Sequence, residues 1–469
     1  MPEVTTQHHD DPARIGPFGD TGDAWARVQR EIDQVARQGT EQIQHRWLSR
    51  ASALLRYHAR ASLNPVYAGL LDGAGVDPAA SQTATTWSRV PIIDKQWLAR
   101  AGYARQPACP GPVLVVGTSG STAAQVLVPV TAGCANRGLG DNFLRALAMS
   151  GAGPGRRHWG IEHRPPGQGH DVTGSSISMT WLARHCGENA LVTAATDLLD
   201  EQLRRAIAFE PDTISGSPGF LQQIARATAA LDPALLLYGG AALADTDADR
   251  LRDRFPEARL TAFYPTTEAG ALGAAPAGDG VYRTFSETHL IEVVDQGGRP
   301  AAVGSRGDVV VTQFDAWAAP IIRYRVGDRA TYRGWEQGRL LLSDIERSAE
   351  AAIGSTLIPY SDLQTWAPRL AALDRSVVAV QLVRAYSVSD QRERPVVRII
   401  GGTVAGPGLA AAALALLDDF PQVAGEVASG ELAPALVEFR DPPTTLAGHW
   451  KIPLYADERT RPEGPCPSD

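Results

Sequence analysis

An apolar run gives way to a loop of glycine and hydroxyls in Val113-Leu-Val-Val-Gly-Thr-Ser-Gly-Ser-Thr122. Its first four residues are apolar, three of them β-branched, and predict a buried strand. After Gly117, the residues Thr118, Ser119, Gly120, Ser121 and Thr122 set four hydroxyls around one glycine. Gly120 permits a tight turn in which backbone N–H groups and hydroxyls converge on an anion. Val126-Leu-Val128 resumes an extended run, giving strand, loop, strand: a cradle for the phosphates of a nucleotide. It is not a Walker A loop, because no Gly-Lys-Ser/Thr follows. Loops of this composition also serve as plain surface turns, so its meaning depends on the segments that accompany it.

Four such segments follow. Ser215-Gly-Ser-Pro218 and Tyr238-Gly-Gly240 stand at predicted strand ends. Tyr264-Pro-Thr-Thr-Glu268 groups a ring, two hydroxyls and a carboxylate, and Arg323-Tyr-Arg-Val-Gly-Asp328 runs from a predicted strand to an acid. Singly, each also reads as turn glycines, a core tyrosine or a solvated carboxylate. His185-Cys186 juxtaposes a base and a thiol, but sequence neighbours rarely face each other, and no catalytic pair is expected there. Cys109, Cys134, Cys186 and Cys466 lack CxxC spacing, which argues against a disulfide framework or a closed zinc site.

The elements that must position these groups alternate. Helices are predicted over 24–58 (two), 136–149, 198–210, 220–230 and 246–255, and strands precede Ser215 and Gly239. Residues 151–170, dense in Gly, Pro, Arg and His, fit no regular element and predict a functional loop. Val90-Pro-Ile-Ile-Asp-Lys95 predicts an exposed loop entering a short helix. From Val281 the pattern turns to short β segments, at 289–294, 308–312, 321–324 and 339–342. A helix over 409–417 and strands near 378–383 and 396–400 then form a separate small unit. The fold class is α/β: a large multi-layer N-terminal domain with parallel-rich sheets and a β-rich lobe, plus a small α+β C-terminal domain. The expected boundaries are 1–22 for a loose tail, 23–343 for the large domain and 344–469 for the small, mobile one.

Composition is that of an ordinary globular protein: 469 residues, 44% hydrophobic and 20% charged. A net charge of −8 argues against a nucleic-acid or anionic-membrane surface. No 18-residue apolar run and no basic-then-apolar leader are present, so a cytoplasmic protein without membrane partners is expected.

Together, in this order, the segments resemble the motifs of the ANL adenylate-forming superfamily, closest to the phenylacetate–coenzyme A ligase group, over roughly residues 85 to 365. Thr118-Ser-Gly-Ser-Thr122 is similar to the family's Ser-Ser-Gly-Thr-Thr loop, and Gly216-Ser-Pro218 to its Thr-Pro-Ser strand end. Tyr264-Pro-Thr-Thr-Glu268 resembles Tyr-Gly-x-Thr-Glu, and Tyr324-Arg-Val-Gly-Asp328 resembles Tyr-Arg-Thr-Gly-Asp. The resemblance implies ATP-dependent activation of a carboxylic acid as acyl-adenylate, then transfer to a thiol, most simply coenzyme A. A carrier protein or an amine is the alternative acceptor, and an inactive nucleotide-binding relative is a third reading.

It also implies roles. Tyr264 would stack adenine, with Gly239, Gly240 and Ala241 beside the base. Asp328 would accept the ribose hydroxyls, Thr267 would reach the α-phosphate and Glu268 would hold Mg²⁺. Lys451, in Gly448-His-Trp-Lys-Ile452, would stabilise the charge that develops on adenylation, and Arg347 would follow the hinge. Trp159, His163, Ser217 and Phe263 would line a pocket for an aryl or arylacetic acid. Two departures stand out. Ala123-Ala-Gln125 replaces the family's Gly-Lys-Pro, removing a phosphate-binding lysine, and Ser343-Asp-Ile-Glu-Arg347 lacks the Gly-Arg-x-Asp-Asp hinge.

Overall fold

The computed structural model describes residues 23–80, 83–110, 112–117, 127–162, 174–241, 243, 245–347, 350–401, 407–442 and 454–458. The tail 1–22, Thr118–Thr122, Ala123-Ala-Gln125, His163 and Lys451 lie outside the described residues, as does the side chain of Arg347.

Strand β1 (Leu114–Gly117) pairs antiparallel with β2 (Leu127–Val130), Gly117 opposite Leu127, so the two flanks of the hydroxyl loop form one hairpin. The main sheet has eleven strands: β3 (His158–Glu162), β4 (Ala190–Ala194), β5 (Thr213–Gly216), β6 (Leu235–Gly239), β7 (Arg259–Thr266), β8 (Gly270–Ala275), β9 (Tyr282–Thr284), β10 (His289–Val294), β11 (Arg306–Gln313), β12 (Tyr324–Glu336) and β13 (Arg339–Arg347). Their order is β10-β11-β12-β13-β9-β8-β7-β6-β5-β3-β4. From β4 to β7 all pairings are parallel, and β8 reverses the direction. The β-rich lobe continues the parallel sheet. Helices such as Gly174–Cys186, Leu199–Phe209 and Pro218–Ala227 make the parallel crossovers, each burying an apolar stripe.

Three local readings are corrected. The stretch 151–170 contains β3, a parallel strand inside the sheet with all five residues buried. Its flanking Gly, Pro and Arg mask the strand, and Gly160 lies where any side chain would collide with Met179. Residues 321–323 are not strand: Arg323 has φ +44, and β12 begins only at Tyr324. Burial fixes that kink, because the Arg323 guanidinium reaches Glu292 and the carbonyls of Ser88, Val90 and Gly298. Nor is 90–95 an exposed loop: Val90 and Ile93 are buried, and Ile93 bridges to Tyr324.

The helical segment 132–149 is continuous but uneven, with π-helical Asn136–Asp141 between two α-helical stretches. The wide turn carries Asp141 inward, where it accepts from Arg27 at 2.8 and 3.0 Å and from the Trp181 indole at 3.2 Å. Gly140 is required there, since a Cβ would stand 2.5 Å from the Trp181 ring.

The chain divides into two compact units that part between Glu346 and Arg347. The smaller has a hairpin, β14 (Glu350–Ile353) and β15 (Thr356–Pro359), and a four-stranded sheet. That sheet comprises β16 (Val377–Ser387), β17 (Arg392–Gly401), β18 (Leu436–Arg440) and β19 (Tyr455–Asp457), in the order β18-β17-β16-β19. Its own core includes Ile353, Trp366, Leu382, Ile399 and Leu416. Among the described residues, no helix is long and apolar enough to cross a membrane.

Candidate functional site

Parallel pairing sets the ends of β5, β6 and β7 side by side: Gly216 is opposite Tyr238, and Gly239 opposite Phe263. Ligands of open α/β sheets collect at such carboxyl ends. At Gly239 a Cβ would stand 3.0 Å from the Phe263 carbonyl and 3.2 Å from its ring, so only glycine fits without displacement. Gly240 has φ +82, and it and Ala241 are exposed, leaving an open glycine-lined edge beside β7.

The turn after β7 is held from several sides. The Thr266 hydroxyl donates to the Gly270 carbonyl at 2.9 Å and accepts from the Ala269 N–H at 3.2 Å. His289 Nε2 lies 2.6 Å from the Ala269 carbonyl, so that nitrogen carries the proton and Nδ1 accepts from Thr288. Burial drives the His289 pKa down to about 4, keeping the ring neutral. Gly270 has φ +79, with the Gly138 carbonyl 2.6 Å from the place of a Cβ. Thr267 and Glu268 are therefore presented, half-buried, on a turn that has little freedom.

Tyr264 and Asp328 meet. The Tyr264 hydroxyl donates to Asp328 Oδ2 at 2.8 Å, and both residues are buried. Four strand spacings separate β7 from β12, which on a flat sheet is roughly 19 Å. Two side chains of this length cannot bridge that span, so the sheet must curl strongly between the strands. Asp328 sits in a β-bulge, the usual device for bending a strand and re-aiming its side chains, and Tyr264 faces one whose extra residue is Leu272 of β8. The β7–β8 register shifts between Tyr264 and Pro265. In β12, Val326-Gly-Asp328 faces the single residue Val309, with Gly327 at φ +84. The Tyr264 ring also meets Tyr282 edge-on at 5.9 Å. Burial first, and Tyr238 nearby, raise the Tyr282 phenol, which stays protonated.

Of the residues expected to line an acid pocket, the described ones differ in burial. Trp159 is fully buried, its indole donating to the Thr193 hydroxyl at 3.0 Å, so it packs the sheet and offers no wall to a ligand. Ser217 is buried too, accepting from the Phe220 N–H at 3.3 Å as the cap of the helix Pro218–Ala227. Phe263 remains half-buried beside Gly239, edge-on to Phe143 at 5.7 Å. Cys186 is no nucleophile: burial raises its thiol to about 11, while His185 lies against Trp181.

Sequence reasoning missed His289, Tyr282 and the bulge at Gly327. Only Gly327 left a signal, as the glycine directly before the acid. Among the described residues no group of three His, Cys, Asp or Glu side chains could by itself hold a metal.

No family model and no curated protein matches the chain. Among solved structures, it is similar to 2-hydroxyisobutyryl-CoA ligase in the postadenylation state with 2-HIB-AMP. The identity is 18% and the TM-score 0.62, over 88% of this chain and 89% of that one. The same ligase with 2-HIB-AMP and CoA in the thioesterification state matches at 18% identity and TM-score 0.58, over 91% of each chain. The acyl acid amido synthetase AtGH3.15 in complex with 2,4-DB matches at 13% identity and TM-score 0.57, over 93% of this chain and 91% of that one. Identities this low establish a shared fold, across nearly the whole of each chain.

Proposed function

We propose that this chain, which has the fold of the ANL adenylate-forming superfamily, activates a carboxylic acid with ATP. Acyl-adenylate and pyrophosphate form first, and the acyl group then passes to a thiol, coenzyme A in the simplest case. The observation that carries the reading is the meeting of Tyr264 with Asp328, 64 residues apart in sequence, beside the ends of β5 to β7.

In this reading Asp328 accepts the ribose hydroxyls, and Gly239, Gly240 and Ala241 border the base. Thr267 and the hydroxyls of Thr118, Ser119, Ser121 and Thr122, with the Gly120 N–H, hold the phosphates. Glu268 completes the shell of Mg²⁺, which when bound offsets the charge of the departing pyrophosphate. Lys451 neutralises charge on the α-phosphate as the acid attacks, and Arg347 is the arginine that follows the hinge. Such chemistry needs positioning and charge neutralisation more than acid–base groups. Phe263 and His163 favour an aryl or arylacetic acid, and the enzyme acts in the cytoplasm. With Ala123-Ala-Gln125 in place of a lysine-bearing loop, ATP is held by fewer cations.

Acid-dependent pyrophosphate release, with and without coenzyme A, tests the proposal. Thioester formation supports it, and the absence of release across aryl, arylacetic and fatty acids refutes it. The shared fold with an acyl acid amido synthetase favours one second reading, transfer to an amine. Release that is indifferent to coenzyme A and coupled to amide formation would establish that outcome. Glu268→Gln and Lys451→Ala are each expected to lower adenylation about a hundredfold or more with melting temperature unchanged. Wild-type rates in both would remove the assignment.

A further inference from the structure

Arginine carries donors and no acceptor, so a hydrogen-bonded chain that starts on one can run in a single direction only. Such a chain starts at Arg145, which is buried. Its guanidinium donates to Asn142 Oδ1, and it also reaches Glu31 and, at 3.3 Å, Glu287. Asn142, buried as well, donates through Nδ2 to the Thr288 hydroxyl at 2.9 Å. The Thr288 hydroxyl in turn lies 2.9 Å from His289 Nδ1, closer than to Asn142 Oδ1 at 3.3 Å or the Phe285 carbonyl at 3.4 Å. His289 Nε2 then donates to the carbonyl of Ala269, the residue after Glu268, at 2.6 Å. We infer that Asn142, Thr288 and His289 are positioning residues, a one-way relay rooted in Arg145 that fixes the Thr267–Glu268 turn for its work on nucleotide phosphates. The inference rests on the role proposed above for that turn.

Direction is what gives the relay its grip. Run the other way, it would place the imidazole proton on Nδ1 and set the bare Nε2 against the Ala269 carbonyl, acceptor against acceptor. The guanidinium at the far end excludes that tautomer. In a dry interior each link polarises the next, and a link left unmade is costly. Asn142 is tied to the same turn a second time: its Nδ2 donates to the Ala271 carbonyl at 2.8 Å and lies 3.2 Å from the Gly138 carbonyl. Gly138 belongs to the π-helical stretch, a form that recurs at functional sites. With the Thr266 hydroxyl accepting from its N–H, Ala269 is held at both its N–H and its carbonyl. Thr267 and Glu268, directly before it, inherit that fixity.

The test compares binding of ATP with that of adenosine, which lacks the phosphates, by calorimetry on the full chain. Hydrogen exchange over residues 264–271 is the second readout. Thr288→Val keeps the shape of the side chain and removes the middle link. It is expected to weaken ATP about tenfold, to leave adenosine within about twofold, and to speed exchange in the turn. Thr288→Ser restores the hydroxyl, and should restore ATP affinity and slow exchange while still melting below the wild type. Thr193→Val is the control, because that buried hydroxyl on β4 also joins two side chains, accepting from Trp159 and donating to Gln202. It should lower the melting temperature and leave ATP binding unchanged. The inference is overturned if Thr288→Val binds ATP as the wild type does or weakens ATP and adenosine alike. It is overturned equally if Thr288→Ser restores nothing or Thr193→Val loses as much ATP affinity. Should Thr288→Val fail to fold, Thr288→Ala takes its place under the same criteria. A wild-type protein that binds neither compound, or binds ATP no better than adenosine, would instead sink the phosphate site itself, an outcome distinct from these.

Discussion

Glu287 is buried, and burial alone would raise its pKa; the guanidinium groups of Arg145 and Arg339 reverse that and hold it down to about 2. Arg339 makes two hydrogen bonds to it, at 2.6 and 3.1 Å, and Arg145 lies 3.3 Å away. Because the folded pKa is depressed, this stabilisation is complete above the unfolded value of about 4.5 and is lost as pH falls toward 2. His58 and His289, both driven down to about 4 by burial, act at higher pH. The unfolded chain takes up their protons below about 6.5 while the folded chain refuses them, so stability falls from pH 6.5 to 4. Denaturant melts should therefore show a steady loss from pH 7 to pH 4, and a further one below. Glu287→Gln, which removes the carboxylate facing buried Arg339 while Arg145 keeps Glu31, should cost about 3–5 kcal/mol at pH 7. If the variant melts like the wild type, the pairing contributes nothing.

At the scale of elements, Gly327 links conformation to chemistry. A Cβ there meets nothing within 4 Å, so Gly327→Ala carries only the strain of a positive φ, about 1 kcal/mol. That strain falls on the bulge that aims Asp328, and nucleotide affinity is expected to drop severalfold. Gly75 supplies the control, with φ +64, equally open space and a place on another segment. Gly75→Ala should show the same loss of stability by thermal melting and no change in nucleotide binding; equal binding losses would refute the link. The strands themselves were largely legible, because short apolar runs such as Leu235-Leu-Leu-Tyr238 stop at a glycine, Gly239, and Thr213-Ile-Ser215 stops at Gly216. β3 was hidden, since its two ends, His158 and Glu162, are polar and the residues before it are rich in Gly, Pro and Arg. The burial of Trp159 and of Ser217 was not legible for a related reason. A ring or hydroxyl at a strand end faces a ligand or caps a helix according to the crossover packed behind it, and that is tertiary information. The bulges left almost no trace, because a one-residue register slip depends on the partner strand.

At the scale of the molecule, each unit has a hydrophobic core made from its own residues. Calorimetry of the full chain is expected to resolve two transitions. A fragment ending at Glu346 should keep nucleotide binding yet lose turnover, because Lys451 lies beyond it; full activity in that fragment would exclude Lys451 from the reaction. The continuity of the eleven-stranded sheet was not legible in the element pattern. That continuity has a mechanical consequence. Where Tyr264 touches Asp328, the short route is one hydrogen bond and the long route runs through β8, β9 and β13, so the contact works as a strain gauge on the curvature of the intervening strands. Any force that flattens them, whether mild denaturant or hydrostatic pressure, should release the nucleotide well before the protein unfolds.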